Sequence, residues 1–138
     1  VLATLGFAKQ YNLKILFICD DNDLSVLTPT KDRRKWNLSE VAKSFGLKTF
    51  DITDDPLTIY YKVKEIKNNL PALINIRTCR EYWHEGAGKD KPDNNFWNRY
   101  EIVKKKLIKN NEQKFVSKIE KKNKMMAEKL WEKQLQKL

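Results

Sequence analysis

A chain of 138 residues is long enough for one domain with a real core and too short for two large ones. Its apolar content of 41% excludes a disordered polymer, and its longest apolar stretch, Ile15-Leu16-Phe17-Ile18-Cys19, is far below membrane-spanning length. The net charge of +10 divides into +3 over residues 1–50, zero over 51–100 and +7 over 101–138, where twelve lysines meet five glutamates. A basic C-terminal part of this kind can hold nucleic acid or an acidic partner.

The chain opens at Val1-Leu2-Ala3, which reads as the inside of a helix and suggests a fragment; no secretion leader is read at this end. Leu2, Leu5 and Ala8 continue a helical spacing, and Asn12 breaks it. Lys14 to Cys19 is a nearly continuous apolar run, as expected of a strand covered on both faces. The acidic turn Asp20-Asp21-Asn22-Asp23 follows. Thr28-Pro29-Thr30 is extended, because proline restricts its neighbour, and Lys31 to Lys35 reads as an exposed charged loop.

Leu38 to Phe45 has the pattern of a short helix with Ser39 as its cap, Val41, Ala42 and Phe45 as its apolar face, and Gly46 as its stop. A second strand is predicted over Lys48 to Ile52. Thr53-Asp54-Asp55-Pro56 starts the next helix, with a capping Asp and a first-turn Pro. That helix runs from Leu57 to about Asn68, with Ile59, Tyr60, Val63 and Ile66 on one side. Pro71 to Arg77 is a third strand. Helices alternating with short buried strands imply an α/β fold with a parallel sheet, right-handed crossovers and ligands at the carboxyl ends of the strands.

Beyond Pro92 the pattern changes. Phe96, Trp97, Tyr100, Val103 and Leu107, then Phe115, Ile119, Met126, Leu130 and Trp131, predict two amphipathic helices joined at Asn110-Asn111. The lysines on the second are read as a solvated face rather than a nucleic-acid surface.

Two strand ends carry chemistry. The turn with Asn22 is rich in oxygen ligands of the kind Mg²⁺ or Ca²⁺ takes, although Asp and Asn are also good turn residues. The loop Thr78 to Gly88 holds the single histidine, His84, and Arg80, which together could contact an anionic group such as a phosphate. Cys19 and Cys79 are too few for a disulfide framework and read as reduced, half-buried thiols of a cytoplasmic protein. The sequence contains no glycine-rich phosphate loop, no Cys/His metal cluster and no Gly-x-Ser-x-Gly elbow.

The order of these parts resembles the alpha subunit of the thiamine-diphosphate-dependent 2-oxoacid dehydrogenases of the pyruvate, branched-chain and acetoin types. Leu13 to Asn22 is similar to the strand that leads into the family's Glu-Asn-Asn, with Thr28-Pro29 at the spacing of its Ser/Thr-Pro. Phe50-Asp51-Ile52-Thr53-Asp54-Asp55 is similar to its Val-Asp-Gly-Asn-Asp turn, and Cys79 to Glu85 to its Tyr-Arg-x-x-Gly-His-Ser loop. The resemblance covers nearly the whole chain. It implies that residues 1–92 are the C-terminal part of a diphosphate-binding α/β domain and that 93–138 are a helical tail. It further implies Asn22 and the backbone carbonyl of Leu24 as ligands of the Mg²⁺ that grips the cofactor's diphosphate. His84 would be the catalytic residue beside the diphosphate and the substrate entrance, with Arg80 ordering the loop.

The implied function is that of an oxidoreductase subunit: a 2-oxoacid substrate is decarboxylated on thiamine diphosphate, a beta subunit completes the site in an α₂β₂ heterotetramer, and this chain alone is inactive. No membrane or nucleic-acid partner is implied. Three departures stand out. The family's Gly-Asp-Gly, with a further metal ligand, belongs before Val1; Glu85 replaces a Ser, which removes phosphorylation control there; and Trp83 replaces a Gly. The alternative from another class is a small α/β binding module whose basic helical tail holds nucleic acid or an acidic protein.

Overall fold

The structure is a computed structural model that describes residues 2–82, 84 and 97–137. It falls into two compact units, residues 1–97 and 98–138.

The first unit is α/β. Helix α1 (Leu2–Gln10) leads into strand β1 (Leu16–Asp21), then a two-stranded hairpin of β2 (Leu24–Ser25) and β3 (Thr28–Pro29), and a single turn of helix, α2 (Thr30–Arg33). Helix α3 (Leu38–Ser44), strand β4 (Lys48–Thr53), helix α4 (Pro56–Ile66) and strand β5 (Ala72–Arg77) follow. The sheet is parallel in the order β1-β5-β4, so the last strand inserts between the first two. The chain moves two places across the sheet from β1 to β4 and one place back to β5. Right-handed crossovers then require α3 and α4 on opposite faces.

The core has that form. Leu73 on β5 packs with Leu5 of α1, Ala42 of α3 and Leu47 on one face. Ala72, Ile74 and Ile76 pack against Ile66 of α4 on the other, with Phe50, Ile52, Ile59 and Val63 around them. Fully burying residues such as Leu73 and Ile74 contributes about 1.5–3 kcal/mol each.

Local chemistry sets the helix ends. Asp55 caps α4 by accepting from the Leu57 and Thr58 amides at 3.1 Å, ahead of Pro56. Asn37, not Ser39, caps α3, accepting from the Glu40 amide. Ser39 lies two residues past the cap position; it is buried and donates to Asp51 Oδ1 at 2.9 Å. Gly46, at φ 83°, closes α3, with its own amide bonded to Lys43 and the Leu47 amide to Ala42.

Four expectations are corrected. Strand β1 is an edge strand, and Ile18 on the face covered by α4 remains 61% exposed, because α4 lies over β4 and β5. Asp20 and Asp21 are the last two residues of β1, paired in register with Ile76 and Arg77, so only Asn22 and Asp23 remain in the turn. The segment 31–35 begins inside helix α2 instead of forming a loop throughout. Tyr60 faces outward rather than joining Ile59, Val63 and Ile66.

The second unit is a helical hairpin, α5 (Arg99–Lys109) and α6 (Gln113–Leu135), with the chain reversing at Asn110-Asn111, the latter at φ 64°. Lys104 reaches Glu120 at 2.6 Å and Tyr100 donates to the same carboxylate, tying the helices together. Trp97 belongs to the first unit and precedes α5; its indole N–H donates to both Asp54 oxygens at 2.9 and 3.0 Å. Phe96, expected on the first tail helix, lies outside the described residues. No helix among the described residues is long and apolar enough to cross a membrane.

Candidate functional site

The carboxyl ends of the three parallel strands open into a cleft of about 760 Å³, lined among others by Asp21 of β1, Asp51 and Thr53 of β4, and Asn75 and Arg77 of β5. It lies where the connections from β1 and β4 leave toward opposite faces of the sheet, the position at which open α/β sheets take ligands.

Asn75 organises this cleft. It is 7% exposed, in the middle of the most buried strand. Its Nδ2 donates to Asp51 Oδ1 at 2.9 Å and to Asp21 Oδ2 at 3.3 Å. One amide group therefore serves two carboxylates from the two flanking strands. Rotating the amide would turn its oxygen toward both anions, so the observed orientation is fixed by charge. The cost is that Asn75 Oδ1 is buried without a hydrogen-bond partner among the described residues, a loss of about 1–3 kcal/mol for an orphaned acceptor. Arg77 offsets the negative charge, lying 3.0 Å from Asp23 and 3.8 Å from Asp21.

Beside the cleft, the turn after β1 is held by its own side chains. Asn22 Oδ1 accepts from the Leu24 amide at 3.1 Å, and Asp21 Oδ1 from the Asp23 amide at 3.1 Å. These bonds support the turn-forming role of Asp and Asn. Asn22 Oδ1 retains a second lone pair. In the hairpin register Leu24 faces Pro29 at a non-hydrogen-bonded position, next to the bond from the Thr30 amide to the Asp23 carbonyl, so the Leu24 carbonyl points away from the ladder. Asn22 and Leu24 thus present neutral oxygens of the type Mg²⁺ accepts, two of the roughly six it takes. Among the described residues no group of three His, Cys, Asp or Glu side chains could hold a metal ion.

The loop after β5 is tied to this hairpin. Arg80 Nη1 donates to the Val26 carbonyl at 2.6 Å, the Thr78 hydroxyl donates to Asp20, and the Thr78 amide donates to the Asp21 carbonyl. Arg80 therefore meets the turn that carries Leu24, although 54 residues separate it from Val26. His84 lies further along, exposed in a bend, and its neighbours Trp83 and Glu85 lie outside the described residues. Burial pushes the Cys19 thiol up, and the Asp21 carboxylate pushes the same way, so this half-buried cysteine stays a neutral thiol.

No binding or catalytic role is expected of Asp51 or Asn75 from the sequence pattern. Asn75 had a signal: it is the one uncharged polar side chain in the apolar run from Pro71 to Ile76, and a polar group in a central strand must be matched by neighbours. Asp51 stands out only as part of the segment Phe50 to Asp55; its pairing with Asn75 depends on the β4–β5 register. Comparison of the chain with protein-family models, with curated proteins and with solved structures finds no match.

Proposed function

We propose that this chain is a portion of the alpha subunit of a thiamine-diphosphate-dependent 2-oxoacid dehydrogenase or decarboxylase. The observation that carries the reading is spatial. The segments around Asp20 to Asn22 and Cys79 to His84, far apart in sequence, meet at the carboxyl edge of one parallel sheet through the Arg80–Val26 and Thr78–Asp20 bonds. The third resembling segment, starting at Phe50, ends the neighbouring strand β4.

In this reading the Asn22 side-chain oxygen and the Leu24 carbonyl would hold Mg²⁺, with the remaining ligands coming from outside these residues. When bound, thiamine diphosphate supplies the carbanion chemistry by which a 2-oxoacid loses CO₂. The chain's own work is to bind and orient. Arg80 fixes the hairpin turn, Arg77 keeps Asp21 and Asp23 paired, and His84 stands on the loop that would face the diphosphate and the incoming substrate. A beta subunit would complete the site in an α₂β₂ assembly in the cytoplasm.

The test is titration calorimetry of thiamine diphosphate into the chain, with and without Mg²⁺. Weak binding that requires Mg²⁺ and disappears in Asn22→Ala is the expected result. Binding that ignores both Mg²⁺ and Asn22, or no binding at millimolar cofactor, sinks the reading.

A further inference from the structure

We infer that the distal half of α6 is a docking surface for an acidic amphipathic helix of a partner protein. The inference is independent of the cofactor reading, since α6 carries none of the residues which that reading uses.

Helix α6 has 23 residues and α5 only 11, so α6 outruns its partner in the hairpin. Near its start, Val116 and Ile119 line a small cavity together with Val103 and Leu107 of α5. The same seam then continues at heptad spacing through Asn123, Met126 and Leu130, where Met126 and Leu130 are each 54% exposed. A polar Asn at one core position fixes the register of a helix pair. Ala127, Trp131 and Leu135, spaced four apart, form a second exposed stripe beside this seam, and Met125 lies apart from both.

Charge selects the partner. Over Gln113–Leu135 there are seven lysines and three glutamates. Lys122 and Lys129 flank the seam on one side, and Ala127 and Gln134 on the other. A second copy of the chain matches this badly. Parallel pairing sets these lysines against Ala and Gln, and antiparallel pairing sets lysine against lysine. Phosphates of a nucleic acid would satisfy the lysines and leave Met126 and Leu130 in water. A lipid surface would bury the polar side chains of Asn123 and Gln134, which lie between the two apolar stripes, without partners. A helix with an apolar seam flanked by Glu or Asp satisfies both features together.

The test uses the full chain and a synthetic helix of three heptads, with Leu and Ile at its core positions, one Asn opposite Asn123, and Glu at both flanks. Calorimetry should give a dissociation constant in roughly the micromolar range. A peptide with Lys flanks, a peptide with Ser at the core positions, and the chain variant Met126→Asp/Leu130→Asp should each weaken binding at least roughly tenfold. Thermal unfolding of that variant should match the parent, because both side chains are exposed. The inference is overturned if the Ser-core peptide binds equally well, since charge alone would then explain the binding. Tighter binding to phosphatidylserine vesicles or to duplex DNA overturns it, and so does a dimer of the chain that Leu130→Asp dissociates.

Discussion

Asn75 holds Asp21 and Asp51 on one amide group, at 3.3 and 2.9 Å, and so joins the carboxyl ends of all three parallel strands. Replacing it removes the donor and leaves two carboxylates facing each other. Asn75→Ala should lower the unfolding free energy in urea by about 1–3 kcal/mol. Asn75→Asp should cost more at neutral pH and recover part of the loss in acid, where one carboxyl can be protonated and donate. Equal stability of Asn75→Asp and the parent at neutral pH would contradict this account.

Two turns carry opposite backbone consequences. Val26, a β-branched residue, sits at φ 62° in the hairpin, and Gly46 sits at φ 83° after α3. Val26→Gly should raise stability by about 1 kcal/mol by relieving the left-handed conformation. Gly46→Ala should lower it by about 1 kcal/mol or more, because the new Cβ also meets Lys9 Cε at 3.2 Å. Chemical denaturation of the two variants reads both signs.

Arg80 links the loop after β5 to the hairpin through the Val26 carbonyl. Arg80→Met should leave the sheet intact, with unchanged far-ultraviolet dichroism, while amide hydrogen exchange quickens around the β2–β3 turn. In the cofactor reading the same variant weakens Mg²⁺-dependent binding by roughly tenfold, since the Leu24 carbonyl loses its fixed position.

The α5–α6 hairpin should respond to pH at both ends. Hydrogen bonds from Lys104 and then Tyr100 hold the Glu120 carboxyl below its usual range. A lowered folded value means a contribution present above the unfolded carboxylate range and lost as pH falls through the folded value. The bond to Glu120 holds Lys104 above its usual range, and the same carboxylate raises the Tyr100 phenol. Those contributions are full below the unfolded values and vanish as pH rises through the folded ones. Helical dichroism during thermal melts should show this hairpin loosening in acid and in strong alkali, and Glu120→Gln should flatten the acid limb.

Cys19 should alkylate more slowly than an unhindered thiol at mildly alkaline pH, because burial and then Asp21 raise it. Asp21→Asn removes the second cause and should quicken the reaction. A rate unaffected by Asp21→Asn would show that burial alone controls it.

The sequence by itself determined the class of the first unit and the kind of ends its elements have. An apolar run such as Pro71 to Ile76, the Asp55-Pro56 start and the Gly46 stop act over a few residues, so their physics is complete in the local chain. The tail helices were legible for the same reason: their spacing is helical whatever they touch. Only the tertiary structure decided that β5 is the central strand and β1 an edge, which is why Ile18 is exposed and Asn75 is not. It also decided that Ser39 serves Asp51 rather than a helix end, and that Arg80 reaches Val26. Strand order and register bring together residues dozens of positions apart, and no local pattern encodes that pairing.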